Sequence, residues 1–303
     1  MIKIVFFGTP DIGLKSIEYL YNSDKIEVQA VVTQPDKPAG RGHKIQMSPI
    51  KKFALEKNLP VFQPKSIRKE LDIQEELKKL EPDFFVTFAF GQILSKEVLD
   101  IPKYETINLH ASLLPRYRGA NPIQRAIING DKETGICTMI TELGLDCGDI
   151  CQKLVIPISD TMNCEDLWNE IGEKSPKMIE ETIINLKNGT LKPKKQCENG
   201  VCMANKITKE ECQIDWSKSN LELHNLVRGV CRNPGAFFNY QGKIIKVVET
   251  KPINGNASQG EIFAHSKEGV DFGCGEGILR LIKVKPEGKS EMLARDWYNG
   301  LRG

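Results

Sequence analysis

Apolar and polar positions follow two rhythms along the first half of the chain, and the switching between them predicts a strand–helix repeat. Lys3–Phe7 is almost continuously apolar, as a strand buried on both faces would be. Gly8-Thr-Pro-Asp-Ile-Gly13 turns the chain, and Leu14, Ile17 and Leu20 then fall at helical spacing. Val28–Thr33 predicts a second strand, Pro49–Lys57 a helix opened by a first-turn proline, and Pro60–Pro64 a short strand. Gln74–Lys79 predicts a helix, Asp83–Ala89 and Thr106–Leu109 strands, Gly119–Asn129 a helix, and Ile136–Thr141 a strand. Leu167, Ile171, Met178, Ile183 and Leu186 repeat at helical spacing across Asp166–Leu186, and Asn188-Gly189 stops that helix. This alternation predicts an α/β fold, a Rossmann-like, doubly wound and mostly parallel sheet.

Beyond Lys206 the rhythm shortens. A helix at Asn220–Gly229 precedes glycine-punctuated strands at Ala236–Tyr240, Lys243–Glu249, Gly260–His265, Gly269–Phe272 and Gly277–Val284. Short strands of this kind predict a small OB-like β-barrel. The expected division is therefore a first domain over 1–189, a polar, lysine-rich linker over 190–206, and a second domain over 207–303.

Composition narrows the class. A chain of 303 residues with 40% hydrophobic and 27% charged residues can bury two ordinary cores. No run approaches the ~20 apolar residues of a membrane span, and the amino terminus carries no signal-type apolar segment, so a cytoplasmic address with no membrane partner is expected. The nine cysteines are odd in number and scattered. Neither Cys147/Cys151 nor Cys197/Cys202 has the double spacing of a zinc ribbon, and there are only four histidines, so reduced thiols and no metal are expected. The net charge of +2 hides a split, −3 over residues 1–189 and +5 over 190–303, which suits a polyanion on the second half. Gly8 and Gly13 do not complete a dinucleotide fingerprint and read as turn formers.

The chemistry concentrates where Glu105-Thr-Ile-Asn-Leu runs out into Asn108-Leu-His110-Ala-Ser-Leu-Leu-Pro115-Arg-Tyr-Arg-Gly119, answered later by Gly144-Leu-Asp146-Cys-Gly148-Asp149. Polar residues at the carboxyl end of a strand stand where α/β sheets place ligands. An amide, an imidazole and a carboxylate, with no serine or cysteine nucleophile between them, suit direct acyl-type transfer. The amide and imidazole stabilise an oxyanion, and the carboxylate holds the imidazole. Cys147 beside an acid gains no thiolate character, so it is rejected as a nucleophile. A second feature is the loop Gln34–Ser48: Lys37, Arg41, Lys44, Lys51 and Lys52 face a single acid between Asp36 and Lys52, with Gly40 and Gly42 to make it supple. Such a loop suits phosphates.

Phe7-Gly-Thr-Pro, Pro35-Asp-Lys-Pro-Ala-Gly-Arg-Gly42, Pro60-Val-Phe-Gln-Pro, the Asn108–Gly119 run, Gly144–Asp149, Ile214-Asp-Trp216, Lys285-Pro-Glu-Gly-Lys and Ala294-Arg-Asp together resemble the methionyl-tRNA formyltransferase family over nearly the whole chain. The resemblance implies a formyltransferase domain and a tRNA-binding carboxy-terminal domain. It implies 10-formyl-tetrahydrofolate as formyl donor, the acceptor stem of initiator methionyl-tRNA as partner, and a monomer. It assigns catalysis to Asn108, His110 and Asp146, and folate contacts to Phe90, Gly91, Gln92, Ile93, Ser112, Leu113, Leu114, Pro115, Gly144 and Asp149. Arg41, Lys37 and Lys44 are implied on tRNA. Leu114–Pro115 is a candidate cis peptide. Arg116 and Arg118 either meet the tRNA 3′ end or clamp their own loop. Tyr117, Asn121 and Cys147 depart from the family pattern, which bears on pocket shape and leaves the polar trio intact. The alternative is a folate-dependent transferase or hydrolase acting on an amino sugar or on water. Against it stand the Pro-Ala-Gly-Arg-Gly loop and Ile214-Asp-Trp216.

Overall fold

A computed structural model describes residues 1–39, 44–231 and 234–301. The chain divides into two compact units, Met1–Gly119 with Gly135–Ile156 and Trp168–Met203, and Ala120–Thr134 with Pro157–Leu167 and Ala204–Gly303.

The first unit is built on a seven-stranded sheet of β1 (Ile2–Gly8), β2 (Ile26–Val32), β3 (Val61–Phe62), β4 (Phe84–Phe88), β5 (Glu105–His110), β6 (Glu133–Ile140) and β7 (Ile150–Pro157), in the order β7-β6-β5-β4-β1-β2-β3. Pairing is parallel from β3 through β5 and turns antiparallel at β6. The apolar runs explain the position of β1 and β4: every residue of β4 and all of β1 but Lys3 are buried. Val5, Phe7, Ala30, Val32 and Phe85, every second residue of their strands, share one face with Ile67, Leu77, Phe90, Leu94 and Val98. Phe7 anchors it, 4.8 Å between ring centroids from Phe85 and 5.3 Å edge-on from Phe90. A side chain on Gly8 would meet the Phe6 ring at 2.7 Å and the Phe88 carbonyl oxygen at 3.2 Å, so a larger residue there would push the Phe6 ring and the end of β4 aside.

From β1 the chain builds outward through β2 and β3, then returns to the other side of β1 as β4. That reversal makes the carboxyl ends of β1 and β4 the topological switch point, where α/β sheets bind ligands, with β5 next in line. Asn108 and His110 lie at the end of β5.

Among the elements that differ from expectation are a hairpin and a strand of the main sheet. The cationic stretch is not wholly loop: Lys37–Ala39 and Lys44–Gln46 pair as an antiparallel hairpin, Lys37 opposite Gln46. Arg41, with Gly40, Gly42 and His43, lies outside the described residues. The strand β7 was not expected. Its burial alternates through Gln152, Lys153 and Leu154, as on a half-covered sheet edge, so it lacks the unbroken apolar run that marks β1 and β4.

In the second unit, a helix at Asn220–Gly229 begins with a capping box, Ser219 and Glu222 bonding each other's backbone N–H. The strands β8 (Ala236–Tyr240), β9 (Lys243–Ile253), β10 (Ile262–Ser266), β11 (Gly269–Gly273), β12 (Ile278–Pro286) and β13 (Met292–Leu293) form an antiparallel β domain, ordered β8-β9-β12-β11-β10 with β13 beside β12. Trp216 stacks on Phe272 at 4.7 Å and meets Phe238 edge-on, while Ile214 is buried and the Asp215 carboxylate accepts from the backbone and hydroxyl of Ser217. Ile214-Asp-Trp216, taken from the sequence as a mark of tRNA specificity, is thus accounted for by packing and a turn. The helix Pro122–Ile128 also belongs to this unit. A side chain on Gly229 would lie 2.5 Å from Ile128, and Arg125 holds Glu211 through two nitrogens. Among the described residues no helix is long and apolar enough to cross a membrane.

Candidate active site

Asn108 and His110 are two apart on β5, so their side chains emerge on the same face of the sheet. Across the β4–β5 ladder Asn108 is in register with Thr87. The Thr87 hydroxyl donates to Asn108 Oδ1 at 2.8 Å. That bond fixes which way the amide points and leaves its two N–H donors for another acceptor.

His110 is buried, its side chain 6% exposed. Its Nε2–H donates to the Tyr117 carbonyl oxygen at 2.8 Å, and its Nδ1 lies 3.6 Å from Asp146 Oδ2. A separation of 3.6 Å is beyond a direct hydrogen bond. The same Asp146 oxygen accepts from the Gly119 N–H at 2.8 Å. The trio named from the sequence therefore converges, with imidazole and carboxylate adjacent and not yet bonded. Asp146 has a φ of +49°, left-handed for a non-glycine residue. Its loop folds tightly on glycines: a Cβ on Gly144 would sit 2.4 Å from Cys147 Sγ, and one on Gly148 would sit 2.0 Å from the Ile140 carbonyl oxygen. Cys137, opposite His110 on β6, is pushed up to about 11 by burial, and burial pushes Cys151 up to about 12. Both stay protonated thiols at neutral pH.

The residues expected on the folate side divide by how their side chains are used. Phe90 packs on Phe7, and its carbonyl oxygen accepts from Thr9 Oγ1 at 3.1 Å and Gln34 Nε2 at 3.2 Å. The Gln92 amide is engaged at both ends, accepting from Ile67 N–H and donating to the Pro64 carbonyl, each at 2.8 Å. Ser112 is fully buried and donates to the Arg116 carbonyl oxygen at 2.6 Å. Leu114 packs with Cys137, Met139 and Ile150 beneath a cis Leu114–Pro115 peptide. Leu113, Pro115 and Asp149 are half-buried, and Gly91 and Gly144 are exposed. Ile93, 61% exposed, is the one large apolar side chain among these residues turned to solvent, and Leu143 and Leu145 flank Gly144 at 64% and 56%.

At the base of the hairpin, Asp36 accepts from Lys51 Nζ at 2.6 Å and from Gln63 Nε2 at 2.9 Å. Those two bonds hold its carboxyl below the usual range. Lys51 is thereby committed to the fold, whereas Lys37 is exposed and Lys44 opens the second strand. Of the two arginines left open from the sequence, Arg118 clamps: its Nε and Nη2 donate to Gln196 Oε1 at 3.0 and 2.8 Å. Arg116 donates to the Tyr117 hydroxyl and lies 5.1 Å over its ring.

Thr87, Lys153 and Gln196 were not singled out from the sequence, and Tyr117 only as a departure from the family pattern. Lys153 Nζ donates to the Leu114 carbonyl oxygen at 2.5 Å. They act through a hydroxyl, a backbone carbonyl or a long-range bond, and none of these leaves a local pattern.

Comparison with known proteins places both halves of the chain in described families. Residues 2–183 match the formyl transferase family and residues 206–302 the formyl transferase C-terminal domain. The chain is 42% identical to a methionyl-tRNA formyltransferase of Clostridium novyi, covering 99% of this chain and 97% of the relative. It is 40% identical to that of Caldanaerobacter subterraneus, with the same coverage. Among solved structures, an N-formyltransferase from Helicobacter canadensis, crystallised with folinic acid and dTDP-3-aminofucose, shares the fold with a TM-score of 0.68 at 20% identity over 93% of this chain and 99% of that one. HypX from Aquifex aeolicus shares it with a TM-score of 0.66 at 19% identity over all of this chain, which spans 49% of that protein.

Proposed function

As the chain belongs to the methionyl-tRNA formyltransferase family, whose members take a formyl group from formyl-tetrahydrofolate to methionyl-tRNA, we propose that Asn108, His110 and Asp146 carry out that transfer here. The α-amino group of the esterified methionine attacks the formyl carbon, and negative charge develops on the formyl oxygen. The Asn108 N–H pair, held outward by Thr87, is a preorganised donor to that oxygen. The amine must lose a proton, and N10 of the folate must gain one as the formyl carbon–N10 bond breaks and tetrahydrofolate leaves. His110 Nε2–H is committed to the Tyr117 carbonyl, so Nδ1 is the nitrogen left for proton traffic, and Asp146 stands on that side. This pairing of Nδ1 with the carboxylate is the observation that carries the reading. Its 3.6 Å leaves room for the contact to tighten around substrate.

The folate side is assigned to Phe90–Ile93, Ser112–Pro115, Gly144 and Asp149. The exposed Ile93, Leu143 and Leu145 support an apolar surface for a flat ring. Ser112, Gln92 and Leu114 have their side chains engaged within the protein, so they serve through backbone and shape. Lys37, Arg41 and Lys44 of the cationic stretch are assigned to acceptor-stem phosphates of initiator tRNA, with the carboxy-terminal domain, residues 207–303, as the second tRNA surface and a monomer as the working unit.

The test is transfer from 10-formyl-tetrahydrofolate to methionyl-initiator tRNA by wild type and Arg41→Ala. The substitution should raise KM for tRNA and lower the dependence of binding on salt by about one phosphate contact, with folate KM unchanged. A rise in folate KM instead would overturn the assignment of Arg41.

A further inference from the structure

We propose that Gln196, in the stretch between the two family domains, is a positioning residue for the transfer: its amide locks the turn that presents Asp146. This rests on the reading that Asp146 works with His110.

The segment 190–206 reads from sequence as a polar linker, yet it is laid against the site at three points. Lys194 exchanges both backbone hydrogen bonds with Ile150, at 2.8 and 2.9 Å, directly after the Gly144–Asp149 loop. The Cys202 carbonyl accepts from Arg118 N–H at 3.0 Å, and its Sγ from Tyr117 N–H at 3.2 Å, within the loop that receives His110. Between them lies Gln196. Its Nε2 donates to the carbonyl oxygens of Asp146 and Gly148, both at 2.8 Å, and its Oε1 accepts twice from the Arg118 guanidinium. Two donors and two lone pairs are the full capacity of an amide, and all four are used.

Those bonds fall where the turn needs them. Asp146 sits at φ +49°, a conformation that a non-glycine residue keeps only when its surroundings over-determine it. The Gln196 amide fixes the carbonyls of residues 146 and 148, on either side of the Cys147 peptide. Through Arg118 it also ties down the residue before Gly119, whose N–H bonds the Asp146 carboxylate. One side chain thus braces both the backbone that carries the carboxylate and the segment whose N–H receives it. An error of about 1 Å in such a group can cost up to ~100-fold in rate.

The experiment compares Gln196→Leu and Gln196→Glu with wild type, each also in an Asp146→Asn background, by steady-state and single-turnover transfer to methionyl-tRNA. Gln196→Leu should lower kcat at least ~10-fold with KM for tRNA and folate changed less than about twofold, and with Tm close to wild type. Gln196→Glu keeps an acceptor for Arg118 but sets a carboxylate against the two carbonyls, so it should not rescue kcat. In the Asp146→Asn background either change should cost less than about twofold more, since the group being positioned has lost its function. Near-normal kcat for Gln196→Glu would make Gln196 only a tether for Arg118 and overturn the proposal. So would effects that multiply fully with Asp146→Asn. Wild-type kcat for Asp146→Asn alone would instead remove the reading on which the proposal rests.

Discussion

Thr87 decides what Asn108 can do. The hydroxyl occupies the amide oxygen, so the donor end is what remains for substrate. Thr87→Val keeps the shape and removes that bond, and it should lower kcat about 3- to 10-fold, the worth of one ordinary hydrogen bond. Asn108→Ala should cost ~100-fold or more, the usual loss of an oxyanion donor. Equal kcat for Thr87→Val and wild type would show that the amide is oriented by something else. At this scale the sequence was legible for groups whose chemistry is in their own side chain, at a strand end or in a glycine-bounded turn. It was silent on Thr87, whose threonine reads as one more strand residue, and on the backbone carbonyl of Tyr117, a residue marked only as a departure from the family pattern. The structure adds what the sequence does not display for two other residues: the Ser112 hydroxyl closes a turn, and Trp216 packs on Phe272.

Elements followed the same logic. β1 and β4 were legible because burial on both faces demands unbroken apolar runs, whereas β7 and the short hairpin lack that signature and form through pairing the sequence does not display. The helix Asn220–Gly229 carries a titratable link of its own. His224 Nδ1 lies 2.9 Å from Thr250 Oγ1, its Nε2 lies 3.2 Å from the Asp160 carbonyl oxygen, and Arg228 is nearby on the same helix. Burial, aided by the Arg228 charge, pushes the ring below its ordinary value. The unfolded chain therefore binds the proton more tightly. The stability His224 confers is complete above its unfolded value, about 6.5, and is lost as pH falls through the lower folded value. Thermal melts should show Tm of wild type falling between about pH 7 and 5.5, and a flatter profile for His224→Gln. Identical slopes would place the acid sensitivity elsewhere.

For the whole molecule, the two units do not follow a single cut in the chain. Helix Pro122–Ile128 lies within the first family domain by sequence but packs with Gly229 and Glu211 in the second unit. A fragment ending at residue 206 would keep that helix without its partners. It should bind ANS and aggregate, so its loss of tRNA binding would say nothing about recognition. A cooperative, monomeric fragment in sedimentation and thermal melts would contradict that reading. The periodicity could not foresee this interleaving, because an apolar helical face shows that it is buried and not by what. Whether Asn108, His110 and Asp146 perform the transfer is decided by single-turnover rates with labelled 10-formyl-tetrahydrofolate and methionyl-initiator tRNA. His110→Ala should lower the rate at least ~100-fold while tRNA affinity stays within about twofold. A wild-type rate for that variant, or a loss explained entirely by weaker tRNA binding, would contradict it.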